Sequence, residues 1–147
     1  KVFFTIEGEI LTTGYKRYDS PSGFYSLITL YTPDADLMYF ETLETDFDGT
    51  VSGIARILSA CCNSFPKGVT VNSFSISNNV AYVDLSEEFG KALEKGTMGE
   101  AIVSGSFVNT IIKYYNVERV FFTVEGKIFE SGHITYDEPL GFSEKLF

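Results

Sequence analysis

Residues 2–24, VFFTIEGEILTTGYKRYDSPSGF, return as residues 120–142, VFFTVEGKIFESGHITYDEPLGF. The two segments align without a gap at an offset of 118 residues, and 13 of their 23 positions are identical, among them Thr5/Thr123, Glu7/Glu125, Gly8/Gly126 and Tyr18/Tyr136. An offset of that size is the length of one ordinary domain, so the simplest organisation is a tandem array cut out of register. Residues 1–24 then read as the C-terminal hairpin and linker of a preceding copy, 25–142 as one whole copy, and 143–147 as a tail.

The chain of 147 residues is long enough for one core. Its 14 Phe and 9 Tyr, with no Trp, favour sheet faces. A net charge of −9 argues against nucleic acid, which needs clustered Lys and Arg, and against a purely electrostatic grip on anionic lipid. No apolar run approaches the roughly 18 residues of a membrane span. The chain begins at Lys1 and reads as a fragment, so any anchor of the full-length protein is expected elsewhere. Cys61 and Cys62 are adjacent, which strains a mutual disulfide and leaves the compartment undecided.

Local pattern predicts a hairpin over 1–12 around Glu7-Gly8, a turn-rich linker over 13–24, a strand at Ser26–Tyr31, a turn at Pro33–Asp36 and a return over Leu37–Thr42. Val51, Ile54, Ala55, Leu58, Cys61 and Cys62 form one helical stripe, with Asp48 or Thr50 as N-cap. Thr70–Ser77 and Val80–Leu85 flank Asn78-Asn79, whose asparagines tolerate the positive φ of a tight hairpin. Ser86–Lys95 is short helix or irregular. Thr97–Glu100 has the form of a capping box opening a helix to about 115, with Ala101, Ser104, Val108, Ile111, Ile112 and Tyr115 facing one way and Gly105 marking close packing. Arg119–Glu125 and Ile128–Glu130 read as a last hairpin. The expected class is α+β, a mostly antiparallel sheet with two amphipathic helices on one face.

Candidate chemistry is thin. His133 is the only histidine, its twin is Tyr15, and a structural role is the plainer reading. The apolar stripe assigns Cys61 and Cys62 to the core. Glu44, Asp46 and Asp48 before Gly49 mimic the start of a calcium loop, but Ala55 stands where its bidentate Glu belongs, so a solvated loop and helix cap is favoured. Asp84, Glu87 and Glu88 could pair for glycoside cleavage, yet a strand end and cap is simpler. No phosphate loop or nucleophilic constellation is argued. No catalytic residue, cofactor or metal is assigned.

Pro66–Val71, Val80–Phe89, Gly99-Glu100, Val108–Thr110, Val117–Val120, Glu125–Lys127, Gly132–Ile134 and Glu138–Leu140, preceded by Leu30–Asp36, occur in an order that resembles the GerMN domain of sporulation and spore germination proteins, over about residues 28–140. The resemblance implies a fold similar to ring-building motifs. It also implies a non-enzymatic, extracytoplasmic domain, often doubled and often in lipoproteins of Gram-positive bacteria. The implied role is assembly or localisation of an envelope complex through protein partners, with no nucleic acid. Its recurring residues here are Asp84 and Ser86 at a strand end, Asn109 and Thr110 on the second helix, and Gly132 and His133 after the last hairpin. A second expectation is a cell-wall glycan or small-ligand binding domain, motivated by the aromatics. The bare strand at Val2, Phe3, Phe4 and Ile6 is expected to pair with a sheet edge of 25–142, to meet a second GerMN-like copy, or to swap between molecules.

Overall fold

The computed structural model describes residues 26–147, and upstream of them only the backbone pairing of Thr5–Ile6 with Glu9–Ile10 and of Thr12–Thr13 with Lys16–Arg17. The interface candidates Val2, Phe3 and Phe4, and the side chain of Ile6, lie outside the described residues, as does most of the expected 13–24 linker.

The described chain is α+β, as expected, with three helices. Strands β1 (Ser26–Pro33) and β2 (Phe40–Phe47) form a full-length antiparallel hairpin from Ser26↔Phe47 to Pro33↔Phe40. The return therefore starts later than Leu37 and runs further than Thr42. Asp34 is the reason: its carboxylate accepts the amides of Met38 (2.8 Å) and Tyr39 (3.2 Å), and the intervening turn places Leu37 at φ +56°. Glu44 and Asp46 accordingly sit on a strand rather than in a loop, which removes the calcium-loop geometry. Asp48 is held by Thr50 and Arg56 instead, contacts that keep its carboxyl below the usual carboxylate range.

Helix α1 (Val51–Cys61) starts at Thr50, whose hydroxyl accepts the Gly53 amide at 3.0 Å. It buries Ile54, Ala55 and Leu58. Of the two cysteines only Cys62 is in the core. Cys61 is exposed because the helix ends there and Cys62 adopts extended geometry. Strands β3 (Val71–Ser77) and β4 (Val80–Leu85) turn through Asn78 (φ +51°) and Asn79 (φ +60°), the tight hairpin the two asparagines announce. Helix α2 (Glu87–Leu93), helix α3 (Thr97–Tyr115), strand β5 (Arg119–Val124) and the short β6 (Leu140–Gly141) complete the described chain.

The four-stranded sheet has the order β6-β5-β4-β3, antiparallel except for the parallel β4–β5 pair. That pairing corrects the expected last hairpin. After Glu125-Gly126 the backbone bridges to β5 at Val124↔Lys127, then turns on itself with Glu130↔Thr135, and Leu140–Gly141 supplies the second neighbour of β5. A parallel partner is available because α2 and α3 carry the chain back across the sheet.

In register across β4 and β5, Ala81/Val120, Val83/Phe122 and Leu85/Val124 present one buried face. Helix α3 lies between that sheet and the β1–β2 hairpin, touching β1, β5, β6, α1 and α2. It is buried nearly all round: Ile102, Val103, Ser106, Phe107, Asn109 and Thr110 are covered as well as Ser104, Val108 and Ile111. This overturns the single-stripe reading of 98–115, since a helix packed on both sides needs no polar face. A file of rings threads the interior, Phe65–Phe107–Phe89–Phe122–Tyr136, with successive centroids 6.4, 5.4, 5.2 and 4.8 Å apart. Gly105 marks close packing, as expected, because a Cβ there would stand 2.3 Å from Cζ of Phe40.

Candidate functional site

The family-motif residues fall into two polar clusters that tie the layers together. In the first, Asp84 sits next to last in β4 on the sheet face away from the helices, opposite Thr123 of β5. Its Oδ1 accepts the Thr123 hydroxyl at 2.6 Å and the Gly126 amide at 2.7 Å, and its Oδ2 accepts Asn72 Nδ2 at 3.0 Å. Partial burial pushes this carboxyl up, but the hydrogen bonds from Thr123, Gly126 and Asn72 outweigh it and hold it below the usual range. Gly126 takes φ +73°, which glycine adopts at no steric cost.

Two residues on, Ser86 is buried and pins the residue that leads into β3. Its hydroxyl accepts the Thr70 amide at 3.0 Å and its amide donates to the Thr70 carbonyl at 3.0 Å. The Ser86 hydroxyl makes no capping bond to α2, and Glu125 caps the helix instead, its Oε1 accepting the Glu87 amide at 3.0 Å. Glu87 itself pairs with Lys91 at 2.9 Å on the solvent side.

The second cluster lies along α3. Asn109, fully buried, clamps Ser143 by both ends of its amide: Nδ2 donates to the Ser143 carbonyl at 2.7 Å, and Oδ1 accepts the Ser143 amide at 3.1 Å. Thr110, also fully buried, accepts the Tyr31 amide of β1 at 3.2 Å. Beyond the Asn109 clamp, residues 144–146 run beside 38–40, with Phe40 donating to the Glu144 carbonyl and Leu146 to the Met38 carbonyl.

Glu100 is where the sequence reading of α3 fails. The helix takes Gly96 as N-cap with no side-chain capping bond, and Glu100 turns inward to 1% exposure. Its Oε1 accepts the Tyr136 hydroxyl at 2.8 Å. Burial, and then the bond to Glu100, push the Tyr136 hydroxyl up, so it remains protonated as the donor. The capping-box pattern is met in letters, but a tertiary partner takes the carboxylate.

His133 stands apart from these clusters. Its imidazole is exposed, and its amide donates to Ser131 Oγ in the 131–134 turn, where Gly132 is exposed too. The structure therefore does not bring His133 to Asp84, nor Asp84 to Glu87 as a carboxylate pair facing a cleft. Among the described residues, no group of three or more His, Cys, Asp or Glu side chains is arranged to hold a metal ion.

Thr123, Glu125, Gly126 and Tyr136 were missed as site residues. The signal was present: all four are identical in the repeated segment, as Thr5, Glu7, Gly8 and Tyr18. What the repeat preserves is the set of groups that lock the C-terminal segment onto β4, α2 and α3.

The model of the Germane family, sporulation and spore germination, matches residues 29–130. The chain belongs to this family. Its fold is that of solved GerMN domains. It is similar to the tandem GerMN domains of the sporulation protein GerM from Bacillus subtilis, with a TM-score of 0.60 and 18% identity over 86% of this chain and 49% of that one. The first GerMN domain of the same protein gives a TM-score of 0.53 and 17% identity, covering 82% of this chain and 96% of that one. The chain thus spans about half the length of the tandem GerMN structure. No curated protein sequence matches it. No helix among the described residues is long and apolar enough to cross a membrane.

Proposed function

We propose that this GerMN domain is a non-enzymatic interaction module, working outside the cytoplasm in the assembly or localisation of an envelope complex during sporulation or germination. The observation that carries the reading is the use made of its polar residues. Asp84, Ser86, Asn109 and Thr110 are each engaged in bonds between strands, helices and the C-terminal segment. Membership of a sporulation and germination family supports the process.

The same chemistry supports a partner. Residues 2–24 keep Thr5, Glu7, Gly8 and Tyr18, the counterparts of the groups that bond Asp84, the α2 amide and Glu100. A segment with that set suits a second GerMN-like unit, and β3, at the edge of the four-stranded sheet, is a strand to which another can add. Light scattering on residues 1–147 and 25–147 over a concentration series is the test. A mass that rises towards the dimer for the longer chain, and stays at the monomer for the shorter, is the expected result. Identical monomeric masses for both would rule out residues 1–24 as an interface.

A further inference from the structure

A cavity of about 330 Å³ opens between α3, the 129–136 turn and the C-terminal residues. Its walls are mostly apolar, including Ala101, Val108, Ile134 and Leu146, and Glu100 and Tyr136 line it as well. Most of the polar groups there are already spent. Asn109 holds Ser143, the Ser104 hydroxyl donates to the Glu100 carbonyl at 2.7 Å, and the Tyr136 hydroxyl donates to Glu100 Oε1. Glu100 Oε2 is left over, buried and without a hydrogen-bond partner among the described residues.

A carboxyl oxygen buried with its acceptor capacity unused is costly. The group that relieves it must bring a donor, and a cationic N–H donor makes the stronger bond to a carboxyl oxygen. Among the described residues, Lys145 is the one cation of the cavity wall, and it forms no ion pair with Glu100. We infer that the cavity is a binding site for a primary ammonium group on an apolar stem, such as an aliphatic amine or an extended lysine side chain, with the ammonium on Glu100 Oε2 and the stem against Ala101, Val108 and Ile134. A net charge of −9 favours the approach of such a cation. Glu100 is shared with the Tyr18 contact proposed above, but the amine site is argued from the cavity of a single chain and stands without that contact.

The test is titration of the full chain with n-hexylammonium chloride, followed by NMR shifts of the Ala101, Val108 and Ile134 methyl groups and by calorimetry, with n-hexanol as the neutral control. Saturable shifts at these methyls, affinity at least about ten-fold above that of hexanol, and loss of that margin in Glu100→Gln are expected, ten-fold being about 1.4 kcal/mol. The hexanol comparison is made on the wild-type chain, so it holds even if the variant folds poorly. Equal binding of the amine and the alcohol would reduce the site to an apolar hollow and overturn the proposal. So would no shift at millimolar amine, or binding that appears only in Lys145→Met, which would make Lys145 the built-in partner of Glu100.

Discussion

Phe107→Ala is expected to lower the unfolding free energy by about 3–5 kcal/mol, the range for removing a buried ring from a core. Phe107 is fully buried within the ring file, 5.4 Å from Phe89 and 6.4 Å from Phe65 between centroids. It also sits on the helix that every layer touches, so the space it leaves cannot close by the shift of a single loop. Against a total stability of about 5–15 kcal/mol for an ordinary domain, the variant should be marginal at 25 °C. Urea unfolding followed by circular dichroism measures it. A loss below about 1 kcal/mol would mean that the interior repacks freely and that α3 is not the central element.

Asp84→Ala should cost about 2–4 kcal/mol at neutral pH, because it leaves the Thr123 hydroxyl, the Gly126 amide and the Asn72 amide without their shared acceptor. The cost carries a pH signature. The folded-state carboxyl is held below its usual value, so its stabilisation is complete above the unfolded carboxylate pKa of about 3.9 and drains away as pH falls through the folded value. Wild type and variant should therefore differ most near pH 7 and converge towards pH 3. Asp84→Asn, which keeps an acceptor but drops the charge, should fall between them. A difference that stays constant from pH 7 to pH 3 would show that the charge on Asp84 contributes nothing to the lock.

These two sites mark how far the sequence can be read. Local chemistry was legible wherever a turn or cap is decided by neighbours: Thr50 caps α1, and Asn78-Asn79 turns β3 into β4. It failed where a distant partner outbids a near one. Thr97 and Glu100 spell a capping box, but Tyr136, 36 residues away, captures the carboxylate. Cys61 continues the α1 stripe in spacing, but it is the last residue of the helix and its side chain meets solvent. The α3 stripe misled for a related reason. Asn109 and Thr110, off that stripe, look like surface residues until Ser143 and β1 provide their bonds, while Ser104, on it, is satisfied by the helix's own backbone.

The repeat was the strongest signal, and the structure gives it a physical content. Its shared Thr, Glu, Gly and Tyr are the atoms by which a C-terminal GerMN segment grips the rest of its domain. The proposed role of residues 2–24 as a contact with a second GerMN-like unit can be read most directly at one amide. The Gly126 N–H is bonded to Asp84, and its counterpart is the N–H of Gly8. Hydrogen exchange of the Gly8 amide, measured in the full chain across the concentration range where the mass rises, tests the docking atom by atom. Docking predicts protection of Gly8 that grows with concentration towards that of Gly126. Exchange of Gly8 at the rate of an unstructured peptide at every concentration would contradict it.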